Sequence, residues 1–216
     1  MFEIITKEHE AKFDEILASR HSVRTFQTTK IEPQYIEKII RAGIVAPFAA
    51  IPAAGTDDFR KFYAISTTSS TFGVLSKAID HRIHQHMEEA EKHFGGHAYV
   101  HAIRQADKYG IRAMIGKAPT LLITVERKGI PSNANESLCF CMQNMWLRAT
   151  SLGIGFRFVA LMSQIGLEND AQFCRILGIE PNQYVICACE LGYPDTSYTP
   201  APVTYPDYEK TVRFID

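Results

Sequence analysis

The order of apolar and polar residues along this chain shows two periods, and each predicts a different kind of element. Apolar residues that recur every three or four positions predict helices. These helices span residues 8–18, 33–46, 71–114 with a break at Gly95-Gly96, 133–151 and 167–177. Unbroken runs of apolar and β-branched residues predict strands, and buried strands where the run is longest. These strands span residues 59–65, 120–125, 156–161 and 184–191.

The elements follow a mixed order rather than a strict alternation of strand and helix, which favours an α+β fold over a doubly wound sheet. No repeat, charge block or linker divides the chain, so we expect a single domain over residues 1–216. The tail 192–216 is rich in Pro and Tyr, and we predict that it packs on a partner subunit. Met142, Met145 and Trp146 give the helix at 133–151 more apolar surface than one side of a monomer core needs, which also predicts a homodimer.

Composition excludes several classes of protein. Of the 216 residues, 46% are hydrophobic, which is enough for a sizeable core. The formal net charge of -1 lacks the basic excess of a general nucleic-acid binder. No apolar run reaches the roughly 18 residues that cross a membrane, and the N-terminus lacks the features of a signal peptide. Five cysteines are an odd number that does not suit a disulfide framework. We therefore expect a cytoplasmic protein with no membrane or nucleic-acid partner.

The densest group of candidate functional residues is the stretch 19–26, which we call the cradle segment, where the first helix gives way to extended chain. Arg20, Ser22 and Arg24 alternate there, so in an extended backbone their side chains point to one face. Arginine presents a planar fork of donors that suits phosphate oxygens, and the serine hydroxyl adds a neutral donor. The segment therefore predicts a site for one anionic group. A solvated, charged helix end is the alternative that these residues alone leave open.

Two further clusters contain the residue types of metal ligands. Six histidines are crowded into one helical region: His81, His84, His86, His93, His97 and His101. The last three would align as Zn²⁺ ligands on one helix face, but Gly95-Gly96 interrupts that helix. Four cysteines form two pairs: Cys139 with Cys141, and Cys187 with Cys189. Their apolar neighbours indicate buried structural thiols. We expect a solvated helical segment at the histidines and no metal site.

Several segments together resemble the FMN-dependent nitroreductases. The run Arg20-His21-Ser22-Val23-Arg24-Thr25-Phe26 resembles the Arg-x-Ser-x-Arg/Lys-x-Phe opening of that family, and Ala46-Pro47 lies where the family has an Ala-Pro-Ser loop. Residues 143–149, running into Leu152-Gly153-Ile154-Gly155, are similar to its central helix and glycine turn. The run Glu190-Leu191-Gly192-Tyr193-Pro194 resembles its last core strand. These segments keep the order and spacing of the family across nearly the whole chain.

The resemblance implies a mixed or antiparallel central sheet flanked by helices, normally in an intertwined homodimer. It implies FMN at the dimer interface, reduced by NAD(P)H and reoxidised by a nitroaromatic, a quinone or a similar organic acceptor in a ping-pong reaction. The residues that it places at the cofactor are Arg20, His21, Ser22, Arg24, Pro47, Phe48, Ala49, Val159 and Ala160. Because the flavin carries the chemistry, no catalytic side chain is implied. Arg24 would tune the ring and Arg20 would hold the phosphate.

The chain departs from the family pattern in three places, one of which is Phe158-Val159-Ala160-Leu161, where the family often has a Pro-x-Glu/Gly-Gly segment near the reactive nitrogen of the flavin. Residues 48–54 are apolar where the family shows polar residues and an Asn that contacts the flavin. The tail has no Lys or Arg between Pro194 and Glu209, so Arg157 and Arg213 are the remaining cations near family-like segments. Two alternatives stay open: a non-catalytic relative that binds flavin or another small ligand, and an enzyme for a bulky hydrophobic substrate. The walls of the bulky-substrate pocket would be Phe48, Ile51, Phe94 and Tyr99.

Overall fold

Four strands form one antiparallel sheet in the order β1-β2-β4-β3. The strands are β1 (Arg60–Ser66), β2 (Thr120–Arg127), β3 (Gly155–Phe158) and β4 (Tyr184–Gly192). The computed structural model describes residues 6–48, 59–95, 98–130, 133–197, 199 and 208–215. All four predicted strands are present, and the α+β fold class is confirmed.

Helices flank this sheet. Those in the described ranges are α1 (Lys7–Ser19), α2 (Pro33–Ile44), α3 (Ser70–Phe94), α4 (Ala98–Ile115), α5 (Ala134–Ser151), α6 (Leu161–Gln164), α7 (Ala171–Leu177) and α8 (Tyr208–Thr211). Pro33 begins α2 at a position where its missing N–H needs no partner. Gly95 follows the end of α3, which confirms the predicted break.

Both faces of the sheet are buried, because helices cover each one. Side chains of β2 alternate between the faces, so Leu121 and Ile123 belong to one core and Leu122 to the other. The first core lies against α3, α4 and α7, and the second against α2 and α5. This double burial explains why β2 and β4 are almost continuous apolar runs in the sequence.

Three stretches differ from the sequence-based predictions. The extended segment predicted over 156–161 leaves the sheet early: β3 ends at Phe158, the Val159 N–H donates to the Ala188 carbonyl group at 2.9 Å, and the chain then turns into α6. The helix predicted over 167–177 is a 3-10 turn followed by α7, because the Asp170 side chain caps a new start there. The tail contains the short helix α8, although its sequence shows no helical period.

The apolar side of α5 is used within the chain itself. Met142 and Met145 are buried in the core that α5 shares with α2 and the sheet. Trp146 stacks on Phe156 of β3, with ring centroids 5.0 Å apart. The prediction that these three residues form surplus surface is therefore wrong, because α2 and β3 already cover them.

The cysteines divide between core and surface. Cys141, Cys187 and Cys189 are buried in the second core, as predicted. Cys139 is exposed, because residues two positions apart on a helix, such as Cys139 and Cys141, point to different faces. Burial raises the pKa of the Cys141 and Cys187 thiols to about 12, so both stay protonated. All five cysteines lie in described ranges, and none of them forms a disulfide.

The apolar face of α1 is exposed. The Thr6 hydroxyl caps the helix by accepting a hydrogen bond from the His9 N–H at 3.4 Å. Phe13 is 53% exposed and Leu17 is 42% exposed, and no residue of α1 is buried by the described chain. The helix contacts α5. An apolar face that its own chain does not cover indicates an interaction surface.

Arg60 connects three elements at one end of the sheet. It lies opposite Glu126 in the pairing of β1 with β2, and its Nη2 is 2.7 Å from Glu126 Oε2. Its Nη1 donates to the Gly43 carbonyl group near the end of α2 at 2.8 Å, and Nη2 donates to the Ser137 hydroxyl of α5 at 2.9 Å. Both charged side chains are nearly fully buried, with exposures of 3% and 1%.

Replacing Arg60 by Met removes the partner of a buried carboxylate. We expect the free energy of unfolding to fall by about 3–5 kcal/mol, measured by urea denaturation at fixed protein concentration. The matched control is Arg41→Met, which breaks the exposed pair of Arg41 with Glu37 and should cost less than about 1 kcal/mol. Equal losses for the two variants would contradict the role given to Arg60.

Candidate functional site

A cavity of about 550 Å³ opens between β3, α4 and the cradle segment. Ser22, Arg24 and Arg157 are among its polar lining residues. Its apolar wall comes mainly from α4 and from the turn after β3, and includes Ile103 and Leu161. A largely apolar cavity with a few convergent polar groups has the composition of a small-molecule site.

The cradle segment reaches this cavity because it crosses the sheet at two glycines. Gly155 and Gly192 lie opposite each other in the pairing of β3 with β4. A Cβ on Gly155 would come within 3.0 Å of the Val23 side chain, and a Cβ on Gly192 within 2.8 Å of the phenylalanine ring of the segment. Val23 is therefore buried against the backbone, and Ser22 and Arg24 on either side of it line the cavity.

Backbone hydrogen bonds fix the cradle segment in this position. Ser22 pairs with Phe156 of β3 in a parallel bridge, and Phe26 pairs with Pro194 after β4 in an antiparallel one. The Val23 N–H donates to the Phe156 carbonyl group at 3.1 Å. The predicted extended conformation of this segment is confirmed, and the sheet supports it.

The first two residues of the motif lie outside this cavity. The Arg20 guanidinium stacks on the Trp146 ring, 4.5 Å from its centroid, because Arg20 is still the residue that ends α1. The His21 Nδ1 atom lies 2.6 Å from the Ser19 carbonyl oxygen. His21 lines a second, smaller cavity of about 330 Å³. Of the three alternating residues, Arg20 is the one that the structure does not bring to the larger cavity.

The residues after α2 also lie away from the larger cavity. The Phe48 ring packs on Phe59, with centroids 4.1 Å apart. Neither Pro47 nor Phe48 is among the described residues that line the cavity in the single chain. Ala49 and Ile51 lie outside the described residues.

The turn after β3 supplies two cavity residues that the family resemblance implies at the cofactor. The strand before it supplies a third cavity residue that the resemblance does not imply. Val159 and Ala160 line the cavity, and so does Tyr99 of α4, which is expected in the wall of a bulky-substrate pocket. Arg157 is the third member, which the sequence shows only as a cation near a family-like segment and not as one of the residues implied at the cofactor. Strand alternation is the signal that could have found it, because Phe156 before it points into the second core.

A buried carboxylate holds Arg157 in place. Glu190 lies opposite it on β4, and Glu190 Oε1 is 2.5 Å from Arg157 Nη2. The same nitrogen donates to the Met114 carbonyl group near the end of α4. The Glu190 side chain is 0% exposed, and its Oε2 atom has no hydrogen-bond partner among the described residues. Burial raises the pKa of Glu190 to about 7, although the hydrogen bond and charge of Arg157 lower it.

Four of the crowded histidines have hydrogen-bond partners of their own. His84 Nδ1 is 3.0 Å from Asp107 Oδ1, and His86 Nε2 is 2.9 Å from the Tyr99 hydroxyl. His81 and His93 contact residues four positions away on the same helix. In the described ranges, no group of three or more His, Cys, Asp or Glu side chains is placed to hold a metal ion. That the chain carries no metal site stays a prediction.

The structure is that of an α+β protein with a largely apolar cavity between the edge strand β3, α4 and the cradle segment. The model of the nitroreductase family matches residues 17–193, and the chain belongs to that family. No curated protein is significantly similar to the sequence. None of the helices in the described ranges is long and apolar enough to cross a membrane.

Solved structures with the same fold include several flavoproteins. A nitroreductase with bound FMN from Bacteroides fragilis is 21% identical, with a TM-score of 0.69 over 95% of this chain and 99% of that chain. A BluB-like flavoprotein from Clostridium difficile is 19% identical, with a TM-score of 0.66 over 94% and 98%. A mutant of the FMN and NADPH-dependent nitroreductase NfnB from a Sphigopyxis strain is 17% identical, with a TM-score of 0.66 over 94% and 98%. At these identities the likeness establishes the fold.

The raised pKa of Glu190 predicts a pH dependence of stability. Between pH 4.5, its ordinary pKa, and about 7, the folded protein keeps a proton that the unfolded chain releases. Stability must therefore fall as pH rises through this window, by up to roughly 3 kcal/mol relative to Glu190→Gln, which cannot ionise. Urea denaturation of both proteins across pH 4.5–8 measures the difference.

The control for this pH series is Glu180→Gln, which removes an exposed carboxylate. This variant should keep the pH dependence of the wild type. A constant difference in stability between the wild type and Glu190→Gln across the window would show that Glu190 does not titrate there.

Proposed function

We propose that this protein is an FMN-dependent oxidoreductase that carries electrons from NAD(P)H to a nitroaromatic, a quinone or a similar organic acceptor in a ping-pong reaction. The observation that carries the proposal is the cavity in which Ser22, Arg24 and Arg157 lie beside an apolar wall. Membership of the nitroreductase family supports oxidoreductase activity. We place the protein in the cytoplasm, where unpaired cysteines stay reduced.

The cavity suits a flavin in size and in chemistry. Its volume of about 550 Å³ lies within the range of small-molecule sites, roughly 300–1,000 Å³. An isoalloxazine ring has apolar faces and polar edges, which fits the wall formed by Ile103, Val159 and Leu161 beside two guanidinium groups. When bound, FMN accepts a hydride from NAD(P)H and passes two electrons to the second substrate.

In this proposal the residues of the chain bind and orient the cofactor rather than react with it. Arg24 would hold the pyrimidine edge of the ring, where a cation stabilises the negative charge that the ring gains on reduction. The Ser22 hydroxyl donates a neutral hydrogen bond, and Arg20 and His21 serve the phosphate end. Val159 and Ala160 contribute apolar contact and backbone N–H groups.

The loop after α2 completes the site from the other subunit. Pro47, Phe48 and Ala49 are implied at the cofactor by the family resemblance, yet Pro47 and Phe48 are not among the described residues lining the cavity of their own chain. We therefore assign these three residues to the cofactor of the partner subunit. Phe48 is 49% exposed in the single chain, as an interface residue would be before assembly.

Arg24→Gln tests the cofactor site directly. We expect this variant to bind FMN at least tenfold more weakly, about 1.4 kcal/mol, because it loses a charge-assisted hydrogen bond. Equilibrium quenching of FMN fluorescence measures the affinity. The control is Arg213→Gln, close to the C-terminus, which should bind FMN as the wild type does. Near-equal affinities for the wild type and Arg24→Gln would mean that the cradle segment is only a charged helix end.

A non-catalytic relative that binds flavin or another small ligand is the second candidate. The apolar side chains at residues 48–54 favour it, because they provide no side-chain amide for the flavin ring. The purified protein should be yellow, release FMN rather than FAD on denaturation, and oxidise NADH or NADPH when menadione is supplied. FMN binding without oxidation of either nucleotide supports the non-catalytic relative. A folded, colourless protein that does not bind added FMN contradicts both flavin hypotheses.

We also propose that the protein is an obligate homodimer whose interface includes α1. The helix exposes Phe13 and Leu17, and Phe140 on the neighbouring α5 is 53% exposed. The described chain leaves these three apolar side chains exposed, and a second copy of the chain is the partner that the family resemblance implies. The tail 192–216 is proposed to pack on the same partner.

Substituting both Phe13 and Leu17 by Asp should convert the dimer to a monomer, because two charges would be buried at the interface without partners. Light scattering at micromolar protein concentration measures the mass. Val74→Asp changes another exposed apolar residue, on α3, and should remain dimeric. A wild-type protein that is folded and monomeric at this concentration contradicts the proposal.

A further inference from the structure

Arg157 and Glu190 form an ion pair beside the larger cavity, and the family resemblance assigns neither of them a role. They lie opposite each other in the pairing of β3 with β4, so the register of the strands sets their separation. A single nitrogen, Arg157 Nη2, donates both to Glu190 and to the Met114 carbonyl group. The pair therefore joins two strands to the end of α4.

This arrangement leaves most of the guanidinium available to a ligand. Arginine has five N–H donors, and Arg157 Nε and Nη1 have no hydrogen-bond partner among the described residues. The Arg157 side chain is 23% exposed and lines the cavity together with Ser22 and Arg24. Two guanidinium groups in one largely apolar cavity favour a ligand that carries or gains negative charge, and Glu190 offsets only the charge of Arg157.

Glu190 fixes the position of this positive charge. Its side chain is fully buried, and separating it from Arg157 would leave a buried carboxylate without a partner, which is strongly unfavourable. Arg157 lines the cavity, whereas Glu190 is not among the described residues that do. A ligand in the cavity would therefore meet the positive charge of the pair. A charge held in this way needs no reorganisation when a ligand arrives.

We propose that Arg157 is the second cation of the flavin ring site, beside Arg24, where it favours the reduced over the oxidised cofactor, and that Glu190 is its positioning residue. The inference rests on the proposed FMN function. A hydride brings one proton and two electrons to the ring, so the ring gains one negative charge. A fixed cation beside an apolar wall stabilises that charge more strongly than it would in water.

The pair also adds positive charge to a site whose tail provides no Lys or Arg between Pro194 and Glu209. This cation, supplied by β3, lies at the ring rather than at the phosphate in the proposed complex. Glu190 is the counter-ion of Arg157, and its charge depends on whether its carboxyl group is protonated. Glu190 is therefore the first residue to substitute. Removing the carboxylate charge while keeping its shape should strengthen the field of Arg157 in the cavity.

Midpoint potentials of bound FMN, measured by spectroelectrochemical titration at pH 8, test the inference without an activity assay. Glu190→Gln should raise the potential, because it removes a negative charge and keeps an acceptor for Arg157. Adding Arg157→Gln to that variant should reverse the rise. We expect the second change to weaken binding of reduced relative to oxidised FMN at least tenfold, which lowers the potential of this two-electron couple by about 30 mV.

The double variant avoids an unpaired buried carboxylate, and Arg157→Lys with Glu190→Gln is its matched control. The control keeps the positive charge and should hold the potential near that of Glu190→Gln alone. The control also tests the inference if the variant with both Arg157→Gln and Glu190→Gln fails to fold. A midpoint potential of the control below that of the wild type overturns the inference.

The outcomes separate the inference from the proposed function. A folded wild-type protein that binds no FMN overturns both. If the wild type binds FMN but Glu190→Gln leaves the potential unchanged or lowers it, the inference is wrong and the proposed function stands. Potentials that move in opposite directions in the single and the double variant support the inference, because general structural damage would move both in the same direction.

Discussion

Two Arg–Glu pairs across neighbouring strands, each with a buried carboxylate, are the interactions on which the rest of this structure depends. Arg60 on β1 faces Glu126 on β2, and Arg157 on β3 faces Glu190 on β4. Each pair joins an edge strand to a central one, and the two pairs lie on opposite faces of the sheet. A slip of one residue would place each carboxylate in an apolar core without its partner, so the pairs oppose any other register. Each arginine also binds carbonyl groups near the end of a helix.

The geometry of the site follows from the register of β3 and β4. Because β3 and β4 are aligned by their charged pair, Gly155 and Gly192 come to lie opposite each other. The cradle segment can cross the sheet only there, since side chains at those two positions would collide with it. Its crossing places Ser22 and Arg24 at the cavity. The position of the candidate cofactor residues thus follows from a constraint within the sheet.

The sequence predicts those features of the molecule that depend on local patterns. The long apolar runs of β2 and β4 and the alternation of Ser22 and Arg24 are all found as expected. It fails where a distant residue decides the outcome. Arg20 belongs to the same alternation, but it stacks on Trp146, which lies far along the chain. Alternation along β3 separates Arg157 from Phe156, but its place in the cavity also depends on the end of α4, and no local pattern shows which face of β3 that helix covers.

The exposed face of α1 has a thermodynamic consequence for the cradle segment that follows it. The helix buries no side chain within the described chain, so association with a second copy would supply most of the free energy that orders it. Ligand binding by Ser22 and Arg24 needs the neighbouring segment in place. Assembly and ligand binding would then be linked functions, each strengthening the other by the same factor. Under that linkage, dilution of the protein would weaken its affinity for the ligand even though every contact in the cavity is unchanged.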